Sequence, residues 1–382
     1  MSSKKRRVCF SLDSRATYGY AKNVLKVLSQ FDKLEYRTIV LGGHLSKKHG
    51  YSIKEIIKDN IRVDEKVKFD VPNKSFGWSF TMGKAISKIS MSLEKIKPDI
   101  VLIFGDRIET LSVCLASVYM NIPVAHIQAG DKSGHIDDSA RYAIAKLSHL
   151  HFASCLDSKN RLLKLGEQRF RIFNTGAPQL DNIREDARNS SVTNIKLKKF
   201  IEKKFILVLF HPVLNEKEQA GEYMKNILKS CLSLDMNVLC IFPNTDSGSE
   251  LILSSIKKFT DSKLLVYSNI KRELFLHVLN KCFLLIGNSS AGILEAPSFK
   301  KPVINIGIRQ RGRPQSYNII NCDYDVKSIM NALMYVKNNK KFHQKCKTVK
   351  NLYGDGKSGY RICDILNKIE INKKLLDKQI IY

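Results

Sequence analysis

Three carboxylates stand where acid–base chemistry can be done. Asp106 follows the apolar run 99–104, Asp131 follows the apolar run 123–127, and Asp137 lies one loop further on. Carboxylates that share a cleft repel one another and differ in burial. Their pKa values therefore separate, and one can give a proton while another takes one. Asp106 also has a structural reading, in which it pairs with Arg107 or caps the helix that follows. His211, with Pro212 after the run 205–210, brings an imidazole to a further strand end. A satisfied structural histidine is the commoner outcome for such a residue.

A second group suits an anion. Gly287-Asn-Ser-Ser-Ala-Gly292 precedes a helix, so backbone N–H groups, two hydroxyls (Ser289 and Ser290) and the helix dipole can meet a diphosphate. Glu295, a turn further on, either accepts hydrogen bonds from a ribose diol or favours the helix end electrostatically. Arg15 lies in the first βα loop, where a guanidinium complements phosphate. Asn244 and Asp246 either hold sugar hydroxyls or make an Asx turn.

These residues must be carried by strands whose carboxyl ends face one crevice. The apolar runs 8–12, 35–41, 99–104, 123–127, 151–154 and 170–173 alternate with helical spacing, as parallel β-loop-α units require. A polar stretch, 184–195, reads as a linker, after which the alternation restarts with strands at 205–210, 237–242, 282–286 and 302–306. The fold class expected is α/β, with two Rossmann-like, doubly wound domains facing a cleft, the GT-B arrangement. The domains are expected at 1–183 and 184–361, with a helical segment 362–382 that packs back on the first.

Composition excludes several classes. At 382 residues, 43% hydrophobic and 26% charged, the chain is long enough for two buried cores. No apolar run reaches the roughly 18–20 residues of a membrane span, so no membrane partner and a cytoplasmic location are expected. Nine cysteines show no ligand spacing, which predicts buried free thiols and no metal site. The formal charge of +28 is scattered without a basic stripe, so nucleic acid is not expected as a partner. A small anionic substrate gains from that field by steering.

Taken together, the chain resembles the hydrolysing UDP-N-acetylglucosamine 2-epimerases of the NeuC-like, sialic-acid branch, which include the epimerase half of a bifunctional epimerase/kinase. The resemblance rests on Ser14-Arg-Ala-Thr-Tyr-Gly19, Gly105-Asp-Arg107, Gly130-Asp131 with Ser133-Gly134, Ile136-Asp-Asp138 and Arg141, His211-Pro-Val213, Phe242-Pro-Asn-Thr-Asp-Ser-Gly248, Gly287-Asn-Ser-Ser290 with Glu295, and Pro302 to Gln310. It spans residues 8–320. It implies that UDP-GlcNAc and water give ManNAc and UDP through a 2-acetamidoglucal, with no cofactor and a homodimer or homotetramer. Asp106, Asp131 and Asp137 would divide the proton transfers and His211 would assist. Arg15, Ser289 and Ser290 would hold the diphosphate, Glu295 the ribose, Arg309 the nucleotide side, and Asn244 and Asp246 the sugar. Arg141 joins the substrate-binding set on the same ground.

The chain departs from the family at Thr17, where aspartate is common, and at Ala129, where the family has glycine. It also departs at Asp131, where glutamate is common, drawing that carboxylate back by about 1.5 Å. The alternatives are the same reaction on UDP-2,4-diacetamido-2,4,6-trideoxyglucose, of the legionaminic-acid branch, and a GT-B glycosyltransferase.

Overall fold

Runs of β-branched and other apolar residues bounded by glycine or polar loops form two parallel sheets. The computed structural model describes residues 5–46, 50–70, 76–132, 137–243 and 248–381, without the side chains of Ala16, Asp137, Asp138 and Leu214. The chain divides into two units, Met1–Asp181 with Tyr353–Tyr382, and Asn182–Leu352.

The first unit holds β1 (Arg6–Leu12), β2 (Leu34–Leu41), β3 (Glu65–Val67), β4 (Ile100–Phe104), β5 (Val124–Ile127), β6 (Leu150–Ala153) and β7 (Ile172–Asn174). Their order is β3-β2-β1-β4-β5-β6-β7, with every pairing parallel. Successive side chains point to opposite faces of a strand. Val8, Phe10 and Leu12 accordingly join Ile100, Leu102 and Phe104 in one core, while Cys9 joins Val101 and Ile103 in another. Burial on both faces explains why these strands read as unbroken apolar runs.

The second unit repeats the plan with β8 (Phe205–Leu209), β9 (Asn237–Ile241), β10 (Leu264–Tyr267), β11 (Leu284–Gly287), β12 (Val303–Ile306) and β13 (Ile319–Cys322). The order is β10-β9-β8-β11-β12-β13, again parallel. Strand order reverses between β1 and β4 in one sheet and between β8 and β11 in the other. Ligands of open α/β sheets bind outside such switch points.

Three local expectations change. The stretch 184–195 is largely helical rather than a linker: the helix Ile183–Asn189 buries Ile183 and Ala187. Of the run 170–173, the first part is a 3-10 turn, Arg169–Arg171, because Arg171 is drawn into the interior. The final helical segment begins at Ser358, not residue 362, because Asp181 accepts the backbone N–H groups of Ser358 (2.8 Å) and Gly359 (2.6 Å). Carboxylates are favoured at that helix end. Ile362, Cys363 and Leu366 then complete the core around Val24 and Leu25.

Buried charges fasten the C-terminal segment. Arg171 donates to the carbonyls of His149, Lys374, Leu375 and Asp377. Lys378 donates to the carbonyls of Ala145, Lys146 and Ser148 and pairs with Glu167 at 2.7 Å. Burial alone would raise the Glu167 carboxyl, but the His151 hydrogen bond and the Lys378 ammonium outweigh it and hold it at about 2. A carboxylate lowered in the folded state stabilises above its ordinary pKa, and that contribution fades as pH falls toward the lowered value. Between pH 4.5 and about 2, the wild-type urea midpoint should fall more steeply than that of Glu167→Gln.

All nine cysteines are unpaired and eight are buried. Among the described residues no helix is long and apolar enough to cross a membrane.

Candidate active site

In the first unit, Asp106 lies two residues beyond β4 and pairs with Arg141, whose side chain is only 5% exposed. Arg141 comes from the helix Asp137–Leu147 and also donates to the Gln128 carbonyl (3.0 Å), at the end of β5. One guanidinium thus ties the ends of two adjacent strands. His126 Nε2 adds a second tie, donating to the Gly105 carbonyl at 2.7 Å. Burial pushes this imidazole down to about 3, so it stays neutral.

Asp131 is held differently. Ser154 Oγ donates to one carboxylate oxygen (3.0 Å) and Ser158 Oγ to the other (2.6 Å). Gly130 just before it has φ +71°, and a Cβ there would stand 2.4 Å from the Ser158 carbonyl oxygen, so only glycine admits this approach. Asp137 opens its helix, one turn before Arg141, but its side chain lies outside the described residues.

Arg15 is the first residue of the helix Arg15–Leu28 and pairs at 3.0 Å with Glu55 on the surface of its own unit. Sequence reasoning did not single out its neighbours. Asp13, at the end of β1 and 1% exposed, accepts from Thr110 Oγ1 (2.8 Å), which joins the β1 and β4 ends across the switch point. Glu109, also buried, pairs with Arg107 at 3.3 Å. Burial raises its carboxyl above the usual range, although Arg107 works against the shift. The signal for both was available: acidic residues within three positions of a strand end or a βα loop.

In the second unit the loops after β8 and β11 are knitted through Asn288. Its side-chain oxygen accepts from the His211 N–H (2.7 Å) and its amide donates to the His211 carbonyl (2.8 Å). Its own carbonyl accepts from Arg309 (3.1 Å) and Gln310 (2.9 Å) on the loop after β12. His211 and Arg309 are therefore brought to one fully buried asparagine. Burial first, and Arg309 second, push the His211 imidazole down to about 3, so it stays neutral.

Ser289 caps the short helix Ser290–Leu294, accepting from the Ala291 N–H (3.4 Å), and Ser290 is its first residue. Glu295 ends that helix, with its side chain 4% exposed and paired with Arg272. Asn244 and Asp246 lie outside the described residues.

Comparisons with known proteins bear on the family and the fold. A family model described as UDP-N-acetylglucosamine 2-epimerase matches residues 26–367. The UDP-N,N'-diacetylbacillosamine 2-epimerase (hydrolyzing) of Legionella pneumophila is 32% identical over 98% of this chain and 98% of its own. The UDP-N-acetylglucosamine 2-epimerase of Neisseria meningitidis serogroup B is also 32% identical, over 86% of each chain. Among solved structures, UDP-GlcNAc 2-epimerase from Neisseria meningitidis bound to UDP-GlcNAc has a TM-score of 0.79 at 21% identity, covering 95% of this chain and 100% of that one. That likeness establishes the fold: α/β, with two Rossmann-like units of the GT-B type.

Proposed function

Since the chain belongs to the UDP-N-acetylglucosamine 2-epimerase family, we propose that it is a hydrolysing epimerase that releases UDP and a free 2-epimerised acetamido sugar. The observation that carries this reading is Asp106 at a strand end, held by a buried guanidinium. Asp106 takes the C2 proton as UDP leaves across C1–C2, with its carboxylate oriented by Arg141. Arg141 positions Asp106 and keeps its place in the proposed substrate-binding set. Asp131 and Asp137 share the protonation and the activation of water in the second step. His211 assists as a neutral imidazole.

The nucleotide falls to the second unit. Ser289 and Ser290 hold the diphosphate, Glu295 holds the ribose and Arg309 the nucleotide side, and Arg15 is kept as a proposed phosphate ligand of the first unit. Asn244 and Asp246 take the sugar. A homo-oligomer in the cytoplasm belongs to the same proposal.

Of the two sugars weighed, the 2,4-diacetamido-trideoxy substrate is favoured. The relative named for diacetylbacillosamine matches over nearly the full length of both chains, the one named for UDP-GlcNAc over 86%. The test is an NMR product analysis with UDP-GlcNAc and UDP-2,4-diacetamido-2,4,6-trideoxyglucose in parallel, without an acceptor. Release of free 2-epimer and UDP, at least about tenfold faster from the diacetamido sugar, is expected, a difference of roughly 1.4 kcal/mol. Faster release from UDP-GlcNAc would reverse the choice of sugar. Intact substrate in both tubes would overturn the hydrolysing reading and leave a glycosyltransferase.

A further inference from the structure

Glu295 is an acid that the interior has to compensate. Its side chain is 4% exposed, and a carboxylate so placed needs a counter-charge and full hydrogen bonding. The counter-charge comes from outside the loop–helix segment that sequence reasoning identified. Arg272 is the first residue of the helix Arg272–Lys281, beyond β10, and its guanidinium pairs with Oε1 of Glu295. The guanidinium also lies 6.0 Å from the centre of the Phe275 ring, one turn along the same helix. That contact limits its freedom and adds a weak attraction of its own. The backbone of Glu295 is fixed as well, since its N–H donates to the Ala291 carbonyl (3.0 Å) and its carbonyl accepts from the Ser298 N–H (3.0 Å).

We propose that Arg272 is a positioning residue for nucleotide recognition: it orients the Glu295 carboxylate so that the remaining acceptor sites receive the ribose hydroxyls. The inference rests on the reading of Glu295 as the ribose ligand. A carboxylate offers about four lone-pair sites, and the guanidinium contact on Oε1 does not fill them all. Arginine suits this task because its planar fork fixes the carboxylate plane, whereas an ammonium gives charge without that geometry. Arg272 is thereby assigned an effect on the sugar hydroxyls of the nucleoside and none of its own on the diphosphate.

The experiment compares calorimetric affinities for UDP and 2′,3′-dideoxy-UDP in the wild type, Glu295→Gln, Arg272→Met and Arg272→Gln, with urea midpoints as the check on folding. The wild type is expected to prefer UDP by about tenfold or more, the discrimination typical of hydrogen bonds to a charged group. Glu295→Gln should bring that ratio below about threefold, and both Arg272 variants should do the same. If Arg272→Met does not fold, Arg272→Gln, which keeps a donor without the charge, carries the test. Arg272→Lys should recover part of the ratio. A wild-type ratio in the Arg272 variants, with the ratio lost in Glu295→Gln, would overturn the role of Arg272 and leave the ribose reading standing. A wild-type ratio in Glu295→Gln would overturn the ribose reading itself.

Discussion

Asp106→Asn should lose about 1,000-fold in turnover, the middle of the range for removing a general acid or base. The amide can still accept from Arg141, but it cannot take a proton. Stability should also fall, by about 1–3 kcal/mol, because a buried guanidinium loses its counter-charge. The two effects can be separated. Turnover is measured well below the melting temperature of the variant, and UDP affinity is measured alongside it. A folded Asp106→Asn protein within tenfold of wild-type turnover would remove Asp106 from the chemistry. A second variant, Arg141→Gln, should show a smaller loss of turnover, since it misplaces the carboxylate without deleting it.

The largest effect on stability is expected at Gly287. This residue closes β11 at the switch point, with φ at +136°. A Cβ there would stand 1.9 Å from the carbonyl oxygen and 2.6 Å from the carbonyl carbon of Leu209. Both are backbone atoms of the paired strand β8, so no side chain can move aside to make room. Gly287→Ala should therefore cost about 3 kcal/mol or more, the sum of overpacking and an unfavourable φ for alanine. The denaturant midpoint measures it. A midpoint within error of wild type would mean that β8 and β11 separate easily, and that the loop after β11 is not held as described. Because His211 is fixed to Asn288, the next residue, the same variant should weaken UDP binding in whatever fraction folds.

Much of this architecture was legible from local pattern. Strands buried on both faces leave long apolar runs, and β1, β2, β4, β5, β8, β9, β11 and β12 were found that way. The strands overlooked were β3, β10 and β13. Glu65 and Lys66 interrupt β3 and Asn321 interrupts β13, while β10, Leu264–Tyr267, is an apolar run of only four residues. The polar stretch after Ile183 misled because a helix needs only two buried positions, Ile183 and Ala187, to pack.

For the site, residue type and strand-end position pointed to Asp106, Asp131, His211 and the Gly287–Ser290 loop. What spacing could not give was who holds them. Ser154 and Ser158 reach Asp131 from 23 and 27 residues away, and Arg141 reaches Asp106 from 35. Arg272 meets Glu295 from another helix altogether. Such partners are set by which strand neighbours which, and that is decided by the sheet order rather than by any short pattern. Arg15 shows the converse. Its loop position suggested a phosphate, and the structure gives it Glu55 as a surface partner, an exposed pair of little energetic weight that an incoming anion can displace.

The most direct test of the account follows the C2 hydrogen through one reaction in D2O. Loss of UDP across C1–C2 followed by addition of water predicts a free 2-epimer carrying deuterium at C2, released together with UDP. A free sugar that keeps its original hydrogen at C2, or a 2-epimer still attached to UDP, would contradict it.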